Sequence, residues 1–597
     1  MCADVTPRFN LAEIRVDPAR LRIVGPRGAF RIEPRVMDVL VALALRAPEP
    51  MSREDLMEAV WAHAVVSDGV LSRCISILRE RLGDDRAEPR FIETLSKHGY
   101  RLLAPVTFVK DETRPQERSA TVAPSDAQAT VSIAVLPFVN LAGDATDDHL
   151  ADGLTELMIA NLAGVASLRV IARTSSMIYK GARKRLREIA VDLNVDYVVE
   201  GSLLHDGGRL QVVVQLIEAR SEMHAWTQTY TRDLRDLLTL LNEIARAVAK
   251  AVSARLRPAE AVRLGRRIAI GEDALQHYLK GRFFWAQRSA DSLGRASAEF
   301  TACAGAAPDF APAYVGLADC QIVLAFYGIE QPRRAAAIAR EHHAKALALD
   351  PDSVEVQTAG GALRLFFDWD FEGAERAFVR ALALNPNYTT TYLSYGDLLM
   401  MRGEFERGLQ LIREAVKLNP FDLGLNMNVG DFLIFSRRFD EATRQLEHTL
   451  SMDERFVAGR LRLAEALALM GYGEAALAQV ERACAAAPSQ PRVRETRAFV
   501  LAAGGNHREA GSELAALEAE RHQRYVSAWE IARTYAVMSD ADHAIAWLQA
   551  AIDERAPMTL FAGVHAALDP IRDDPRFAGI LRSIGIPSAQ VATKAFR

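Results

Sequence analysis

Residues 69–82 combine side chains that suit contacts with DNA and the spacing of a helix that is buried on one side. At about 100° per residue, Leu71, Ile75, Leu78 and Leu82 share one face, with Cys74 beside it. The opposite face carries small or hydrogen-bonding side chains, a combination that suits a helix lying in a major groove. The residues of that face are Gly69, Ser72, Arg73, Ser76 and Glu80, flanked by Ile77.

The chemistry of this face is that of base recognition. Arg73 could read guanine, because a guanidinium donates two parallel hydrogen bonds to that base. Ser72 and Ser76 could contact bases or phosphates, and Ile77 could meet a thymine methyl group. An ordinary amphipathic surface helix shows the same pattern, so the helix alone leaves both interpretations open.

The elements around this helix support the first interpretation. Ser52 and Asp55 predict a capped start for the preceding helix. Pro34 predicts the start of the helix before that one, because proline is favoured in the first turn of a helix. In order, the pattern predicts two strands within Leu21–Ile32, a helix from Pro34, helices over Arg53–Trp61 and Gly69–Leu82, and a hairpin over Phe91–Leu103.

The strings SREDLMEAVW, VVSDGVLSRCISILRERLGDD and FIETLSKHGYRL resemble the OmpR/PhoB-type winged helix, the output domain of phosphorelays, and most closely its ToxR- and CadC-like forms. The resemblance implies a DNA-binding domain over residues 8–105. It places Gly69, Ser72, Arg73, Ser76 and Ile77 against the groove, Arg53 and Arg79 against phosphates, and Lys97, His98 and Arg101 in the wing. Glu80 departs from the family, which usually has a basic residue there. We find neither a receiver domain nor a membrane span in this chain.

The next two regions differ in composition. Residues 106–130 are rich in charged, small and proline residues, which predicts a flexible linker. Residues 131–257 alternate strand-like and helix-like patterns and so predict an α/β domain. The strings SIAVLPFVNLAGD, ADGLTELMIANL, LRVIARTSSMIYKG and VDYVVEGSLL resemble the TolB-like amino-terminal domain.

This α/β region offers only weak candidates for chemistry. Asp148, His149 and Asp152 could hold a metal, but the solvated start of a helix explains them better. Residues 173–176 could hold an anion or simply form a polar loop. Since no phosphate-binding or dinucleotide motif occurs, we predict no catalytic site, no metal and no cofactor.

Residues 270–590 repeat with a period of 34 or 35 residues, at positions 351, 386, 420, 454, 488, 522 and 557. This resembles the tetratricopeptide (TPR) repeat and predicts an all-α solenoid of eight units and a cap. The first helices of consecutive units should line a concave groove for a peptide or protein. For that groove we predict Asp397, Met400, Met427, Asp431, Phe435 and Arg462, each of which could equally be core.

Composition limits the remaining alternatives. The 597 residues include 72 Lys and Arg against 77 Asp and Glu, which excludes a uniformly basic nucleic-acid coat. The five cysteines form no CxxC pair, and no apolar run approaches the ~18 residues of a membrane span. We therefore predict a cytoplasmic, non-enzymatic transcription regulator of three domains. Its expected partners are double-stranded DNA, RNA polymerase or another protein, and a second copy of the chain. The alternatives are a TPR scaffold with a vestigial winged helix and a nucleotide-binding regulator.

Overall fold

A computed structural model describes residues 9–586 except 13, 19–21, 26–27, 33, 62–67, 86–88, 96–98, 109–130, 142–144, 207–208, 255, 266–269, 288 and 489. The chain divides into two compact units, Met1–Ala123 and Pro124–Arg597. None of the helices in the described ranges has both the length and the apolar character needed to cross a bilayer.

The described residues of the N-terminal unit form three helices, a five-stranded antiparallel sheet with the strand order β4-β3-β2-β1-β7, and a separate β5–β6 hairpin. Its elements are β1 (Phe9–Leu11), β2 (Ile14–Asp17), β3 (Arg22–Gly25), β4 (Gly28–Arg31), α1 (Pro34–Arg46), α2 (Arg53–Trp61), α3 (Asp68–Leu82), β5 (Ile92–Leu95), β6 (Gly99–Leu102) and β7 (Val106–Phe108). The three helices and the hairpin occur where the sequence predicts them.

The N-terminal sheet is larger than the sequence pattern indicates. Strands β1 and β2 pair with each other, and β7 pairs with β1 on its other side. Because Val106–Phe108 forms a strand, the first three residues of the predicted linker belong to the N-terminal sheet. The rest of that linker, residues 109–130, lies outside the described residues.

The second unit begins with a mixed sheet. Its main path has the strand order β10-β8-β11-β12-β13, and β9 pairs with β11. The elements are β8 (Val131–Val135), β9 (Val139–Asn140), α4 (Ala145–Ala163), β10 (Leu168–Val170), α5 (Arg173–Met177), α6 (Leu186–Leu193), β11 (Tyr197–Asp206), β12 (Arg209–Glu218), β13 (His224–Asp233), α7 (Leu237–Ala251) and α8 (Pro258–Gly265). The sequence predicts the hairpin β11–β12 but not the long strand β13.

Eight helix pairs follow in the part of the chain that the structure describes, as the 34-residue period predicts. They are α9 (Glu272–Ala286), α10 (Ala290–Ala306), α11 (Ala311–Phe326), α12 (Pro332–Leu349), α13 (Val354–Leu363), α14 (Phe371–Leu384), α15 (Thr389–Met401), α16 (Phe405–Leu418), α17 (Leu423–Phe435), α18 (Phe439–Met452), α19 (Val457–Leu469), α20 (Gly473–Ala486), α21 (Pro491–Ala503), α22 (His507–Glu520), α23 (Ala528–Val537) and α24 (Ala541–Asp553). Two 3₁₀ segments, Pro557–Phe561 and Ala566–Ile571, and α25 (Pro575–Ile584) close the array.

The α/β region and the first repeats share one hydrophobic core. Leu154 of α4 and Leu241 of α7 belong to the same buried cluster as Phe300 of α10 and Tyr314 of α11. Polar contacts continue the interface, since Ala172 donates its backbone N–H to the carbonyl of Leu418. We therefore expect the solenoid to lose stability in its first helices when it is cut from residues 131–257.

Candidate nucleic-acid interface

Helix α3 has one buried face and one exposed face. Leu71, Ile75 and Leu78 are at most 2% exposed and pack into the core of the N-terminal unit. Ser72, Arg73, Ser76 and Glu80 are exposed, and Ile77 is half-buried. Gly69 lies in the first turn of the helix. The structure thus brings the predicted groove-facing residues onto one helix.

Arg73 is the basic side chain of α3 that remains available for a ligand. Among the residues that the structure describes, its guanidinium has neither a hydrogen-bond nor an ion-pair partner. An exposed guanidinium without an internal partner keeps all five of its N–H donors. It could therefore donate a bidentate pair to a base edge without breaking an existing contact.

Arg79 has a different position from the one expected of a phosphate contact. Its Nη2 donates to the carbonyl oxygen of Ile92 and to Oγ1 of Thr94, both at 2.8 Å. The side chain is half-buried and ties the end of α3 to strand β5. The geometry therefore makes Arg79 a residue that fixes the hairpin relative to α3.

The Asp84 carboxylate organises the connection between α3 and β5. It accepts the backbone N–H groups of Arg90 at 2.6 Å, Phe91 at 3.0 Å and Ile92 at 2.7 Å. Three donors on one carboxylate fix the path of the chain into the hairpin. The local sequence pattern does not predict this role, although an acidic residue directly after the helix-ending Gly83 is a usable signal for it.

We expect Asp84→Asn to destabilise the N-terminal unit by about 1–3 kcal/mol, because the amide places an N–H donor where the loop needs an acceptor. Thermal unfolding followed by far-UV circular dichroism measures this loss. Glu80→Gln removes the same charge from the exposed face of α3 and should change stability by less than about 0.5 kcal/mol. Equal effects of the two variants would contradict the role assigned to Asp84.

The other predicted basic residues that the structure describes are Arg101 in the wing and Arg53 at the start of α2. Arg101 of β6 forms an ion pair with Glu93 of β5, with Nε and Oε2 2.6 Å apart, so part of its charge is neutralised locally. Arg53, exposed at the start of α2, donates to the Tyr100 hydroxyl at 3.0 Å. Lys97 and His98 lie outside the described residues.

Gly99 allows the wing to approach α2 closely. Its φ of +97° lies in the left-handed region, and a Cβ there would stand 2.0 Å from the carbonyl oxygen of Met51. Met51 and Tyr100 exchange two backbone hydrogen bonds, of 2.8 and 3.0 Å. These bonds hold the hairpin beside the segment that leads into α2.

The candidate residues of the α/β region form internal contacts. Asp152 pairs with Lys180 at 2.6 Å. Ser175 donates its hydroxyl to Asn419 of the repeat region at 2.6 Å. Glu156 binds both Arg173 and Arg282, at 3.3 and 2.7 Å. No group of three or more His, Cys, Asp or Glu side chains suited to a metal occurs among the described residues.

The predicted concave groove is not open at the predicted residues. Met400 is fully buried, and Asp397 and Phe435 are each 7% exposed. The C-terminal segment Pro557–Ile584 occupies this side of the repeats and joins the same hydrophobic core. Phe561 stacks on Phe435 with ring centroids 4.8 Å apart. The prediction of a free peptide groove there is therefore wrong, because the chain fills the space itself.

The remaining predicted groove residues are half-buried or lie in an internal ion network. Met427 packs against the hydrophobic core. Arg462 binds Asp431 at 3.3 Å and Glu465 at 2.8 Å. Burial raises the pKa of Asp431 to about 6, although Arg462 opposes this effect. Burial and the neighbouring Asp431 also raise the pKa of Asp397 well above its usual range.

This network extends through the first helices of the later repeats. Arg533, 1% exposed, binds Glu465 at 2.7 Å and Glu530 at 2.5 Å, while its Nη1 has no partner among the described residues. Burial would raise the pKa of Glu465, but Arg533 and Arg462 hold that pKa well below its usual range. Burial and the nearby Arg533 lower the pKa of His565 to about 3.

Two families match the chain. The family described as "Transcriptional regulatory protein, C terminal" matches residues 28–102. The family described as "HilA/YgeH-like transcriptional regulator, second domain" matches residues 128–246. The second match covers the mixed-sheet region, whose sequence resembles a TolB-like domain.

Three similar proteins illustrate the relationship. "Putative adenylate cyclase 3" of Rhizobium meliloti is 35% identical over 173 residues, which is 29% of this chain and 30% of the cyclase. "Transcriptional regulator HilA" of Salmonella typhimurium is 28% identical over 395 residues, 65% of this chain and 66% of HilA. "Transcriptional activator CadC" of Escherichia coli is 35% identical over 107 residues, 18% of this chain and 21% of CadC. The chain thus spans less than two thirds of each relative.

The fold and these matches show a winged-helix domain of the kind found in transcriptional regulators, and a TPR-like helical region later in the chain. More particularly, residues 28–102 form a transcriptional regulatory protein C-terminal domain of the OmpR/PhoB type. Residues 128–246 correspond to the second domain of HilA/YgeH-like regulators.

Proposed function

We propose that this protein is a sequence-specific transcription regulator that inserts α3 into the major groove of double-stranded DNA. The observation that carries the proposal is the exposed face of α3, where Ser72, Arg73 and Ser76 lie together opposite a buried apolar face. Arg73 has no internal partner among the described residues, so it can read guanine. Ser72 and Ser76 contact neighbouring bases or phosphates, and Gly69 lets the start of α3 approach the DNA.

The other predicted residues position the domain on the duplex. Arg53 contacts the DNA backbone near the start of α2, and the wing residues Lys97, His98 and Arg101 reach the backbone or the minor groove. Because Arg101 is paired with Glu93, we expect it to contribute less than Lys97. Arg79 acts indirectly by fixing the hairpin beside α3.

The second unit receives a signal or recruits a partner, and the protein acts by binding rather than by catalysis. We further propose that residues 8–105 form the DNA-binding domain, residues 131–257 a TolB-like region and residues 270–590 the repeat region. Since the C-terminal segment fills the inner side of the repeats, RNA polymerase or another protein would bind an outer surface. As a DNA-binding protein, it would act in the cytoplasm.

The salt dependence of binding by the full chain tests the proposal. DNA fragments would first be selected from a genome by the purified protein and then compared with scrambled fragments by fluorescence anisotropy. Genuine contacts to phosphates release counterions, so affinity should fall steeply as salt increases. Equal affinity for selected and scrambled fragments at every salt concentration would reject sequence-specific binding.

Arg73→Ala should weaken binding to the selected fragment by about 1–3 kcal/mol and relax the sequence preference at one base pair. The loss on scrambled DNA should be smaller, because a base contact contributes little there. Arg15→Ala removes the same charge from the exposed face of strand β2 and serves as the matched control. If Arg73→Ala and Arg15→Ala lose the same affinity, and each loses as much for scrambled DNA as for the selected fragment, Arg73 does not read a base.

A further inference from the structure

A cleft lies on the surface of the repeats between the second helices of two consecutive units. Helices α16 and α18 form its walls, and one face of α17 forms its floor. Its volume is about 510 Å³, and sites for small molecules usually measure about 300–1,000 Å³. The residues that line it include Arg413 and Lys417 of α16, Asn426, Val429 and Leu433 of α17, and Arg444 of α18.

The space in this cleft results from two short side chains on the floor. The residues 34 positions before and after Asn426 are Tyr392 and Arg460, and those before and after Val429 are Tyr395 and Leu463. All four are larger than the residue to which they correspond. The hydroxyl of Tyr392 donates to the carbonyl oxygen of Pro386 at 2.8 Å, and Nη1 of Arg460 donates to Oε1 of Gln479 at 2.9 Å. The neighbouring units therefore carry larger side chains where space stays open above α17.

The positive charge of the cleft also distinguishes it from its two neighbours. The residues that correspond to Arg413, Lys417 and Arg444 are Val379, Ala383 and Gln410 one period earlier, and Glu447, Ser451 and Ala478 one period later. None of these six residues is basic. Three basic side chains therefore line this cleft because of local changes in the sequence of the repeat, and the repeat pattern itself does not require them.

Arg413 and Arg444 line the cleft from opposite walls, and both are available for a ligand. Both side chains are exposed, and neither forms a hydrogen bond or an ion pair with the described residues. The nearby carboxylate of Glu441 is already occupied, because it accepts hydrogen bonds from Nε and Nη2 of Arg438 at 2.8 and 2.6 Å. These bonds lower the pKa of Glu441, and the charges of Arg413 and Arg444 lower it further. The two arginines thus share one site without a carboxylate of their own.

We propose that this cleft binds a small organic carboxylate with an apolar body. The carboxylate lies between Arg413 and Arg444, because charge-assisted hydrogen bonds from guanidinium groups to a carboxylate are strong and directional. The apolar body covers Val429 and Leu433 on the floor. Apolar walls with a few well-placed polar groups are typical of sites for small molecules.

The dimensions of the cleft favour a small molecule over an extended peptide. An extended chain advances about 3.3 Å per residue, so a peptide needs a groove that continues past α16 or α18. The neighbouring units have larger side chains on their floors. The open space is therefore limited to one unit of the array.

The cleft adjoins the junction between the repeats and the α/β region. The carbonyl oxygen of Lys417 accepts a hydrogen bond from Nη1 of Arg169 at 3.4 Å, and that of Leu418 accepts the backbone N–H of Ala172 at 2.8 Å. The ammonium group of Lys417 pairs with Glu414 at 2.7 Å, so we expect it to contribute less than the arginines. The site does not depend on the proposed DNA binding, and it gives the second unit a place to receive a chemical signal.

Titrations of the full chain with two carboxylates test the proposal. The probes are octanoate and phenylacetate, which differ in the shape of the apolar body, and saturation-transfer difference NMR measures their affinities. Each should bind with a Kd below about 5 mM. Octanamide and phenylacetamide keep the shape and lose the charge, so they should bind about tenfold more weakly. Acetate keeps the charge without the apolar body and should also bind more weakly.

Substitutions separate the charge of the cleft from its shape. Arg413→Gln and Arg444→Gln should each weaken both carboxylates about tenfold and leave the two amides unchanged. Val429→Leu gives the floor the residue of the next unit and should weaken carboxylates and amides alike. Arg482→Gln is the matched control, because Arg482 is an exposed arginine on α20 outside the cleft, and it should change no affinity. Far-UV circular dichroism and thermal unfolding check that each variant keeps the fold.

Four results would overturn the proposal. They are a Kd above about 5 mM for both carboxylates, amides that bind as tightly as the carboxylates, carboxylate binding that survives both arginine substitutions, and an equal loss in Arg482→Gln. Hexaglutamate is added as a separate ligand. If it binds the wild-type chain while neither small carboxylate does, the cleft accepts an acidic protein segment and the proposal of a small-molecule site is wrong.

Discussion

Alanine in place of Gly99 should destabilise the N-terminal unit by about 2–5 kcal/mol and abolish DNA binding. The added Cβ would stand 2.0 Å from the Met51 carbonyl oxygen, on a residue whose φ is already +97°. The hairpin would have to move away and break the two backbone bonds between Met51 and Tyr100. The left-handed conformation adds strain of about 1–3 kcal/mol by itself.

A matched variant separates strain from overlap. Gly471 has a φ of +84°, and nothing lies within 4 Å of the position its Cβ would take. Gly471→Ala should therefore cost only the strain, and the effect should stay within the repeats. Hydrogen exchange followed by mass spectrometry would locate each loss, and anisotropy would measure DNA binding. If Gly99→Ala costs no more than Gly471→Ala, the close approach of the wing to α2 is not required.

Local patterns predicted the features of the N-terminal unit that depend on neighbouring residues. The apolar spacing of Leu71, Ile75, Leu78 and Leu82 identified α3 and its exposed face, because the period of a helix appears directly in the sequence. Ser52 does cap α2, where its Oγ accepts the backbone N–H of Asp55 at 3.0 Å. The 34-residue period likewise identified the helix pairs.

Contacts between distant residues were not predictable in this way. Arg79 carries the same charge as Arg73, and only the fold turns Arg79 toward β5 and leaves Arg73 exposed. The C-terminal segment fills the inner side of the repeats. A repeat pattern cannot predict this packing, because it describes each unit and not the distant segments that contact the unit. Asn387 joins the repeats to β10 by its bond to Val170, a residue that lies 217 positions earlier in the chain. Physical proximity, rather than sequence proximity, decides these roles.

The shared core of the second unit bears on how a signal could reach the DNA-binding domain. The α/β region and the repeats are joined by buried apolar residues and by bonds such as Ser175 to Asn419. We therefore expect a ligand that stabilises either region to stabilise the other as well.

Methionine in place of Arg533 should destabilise the later repeats by about 3–5 kcal/mol, the largest effect that we expect of any single substitution in the second unit. Arg533 is 1% exposed and binds Glu465 at 2.7 Å and Glu530 at 2.5 Å. Its guanidinium also lies 4.4 Å from the centre of the Phe499 ring. Methionine fills much of the same volume but leaves two buried carboxylates with reduced compensation.

The size of this effect depends on burial, and an exposed pair provides the comparison. Arg380 binds Asp352 at 2.6 Å, but the two side chains are 53% and 73% exposed. Arg380→Met should therefore cost less than about 1 kcal/mol, because water already solvates both charges. Hydrogen exchange in α19, α21 and α23 should increase in Arg533→Met and remain unchanged in Arg380→Met. Arg533→Lys should fall between them, since it keeps the charge but cannot bind both carboxylates with one planar group. If Arg533→Met is as stable as Arg380→Met, the buried network contributes specificity of packing and no net stability.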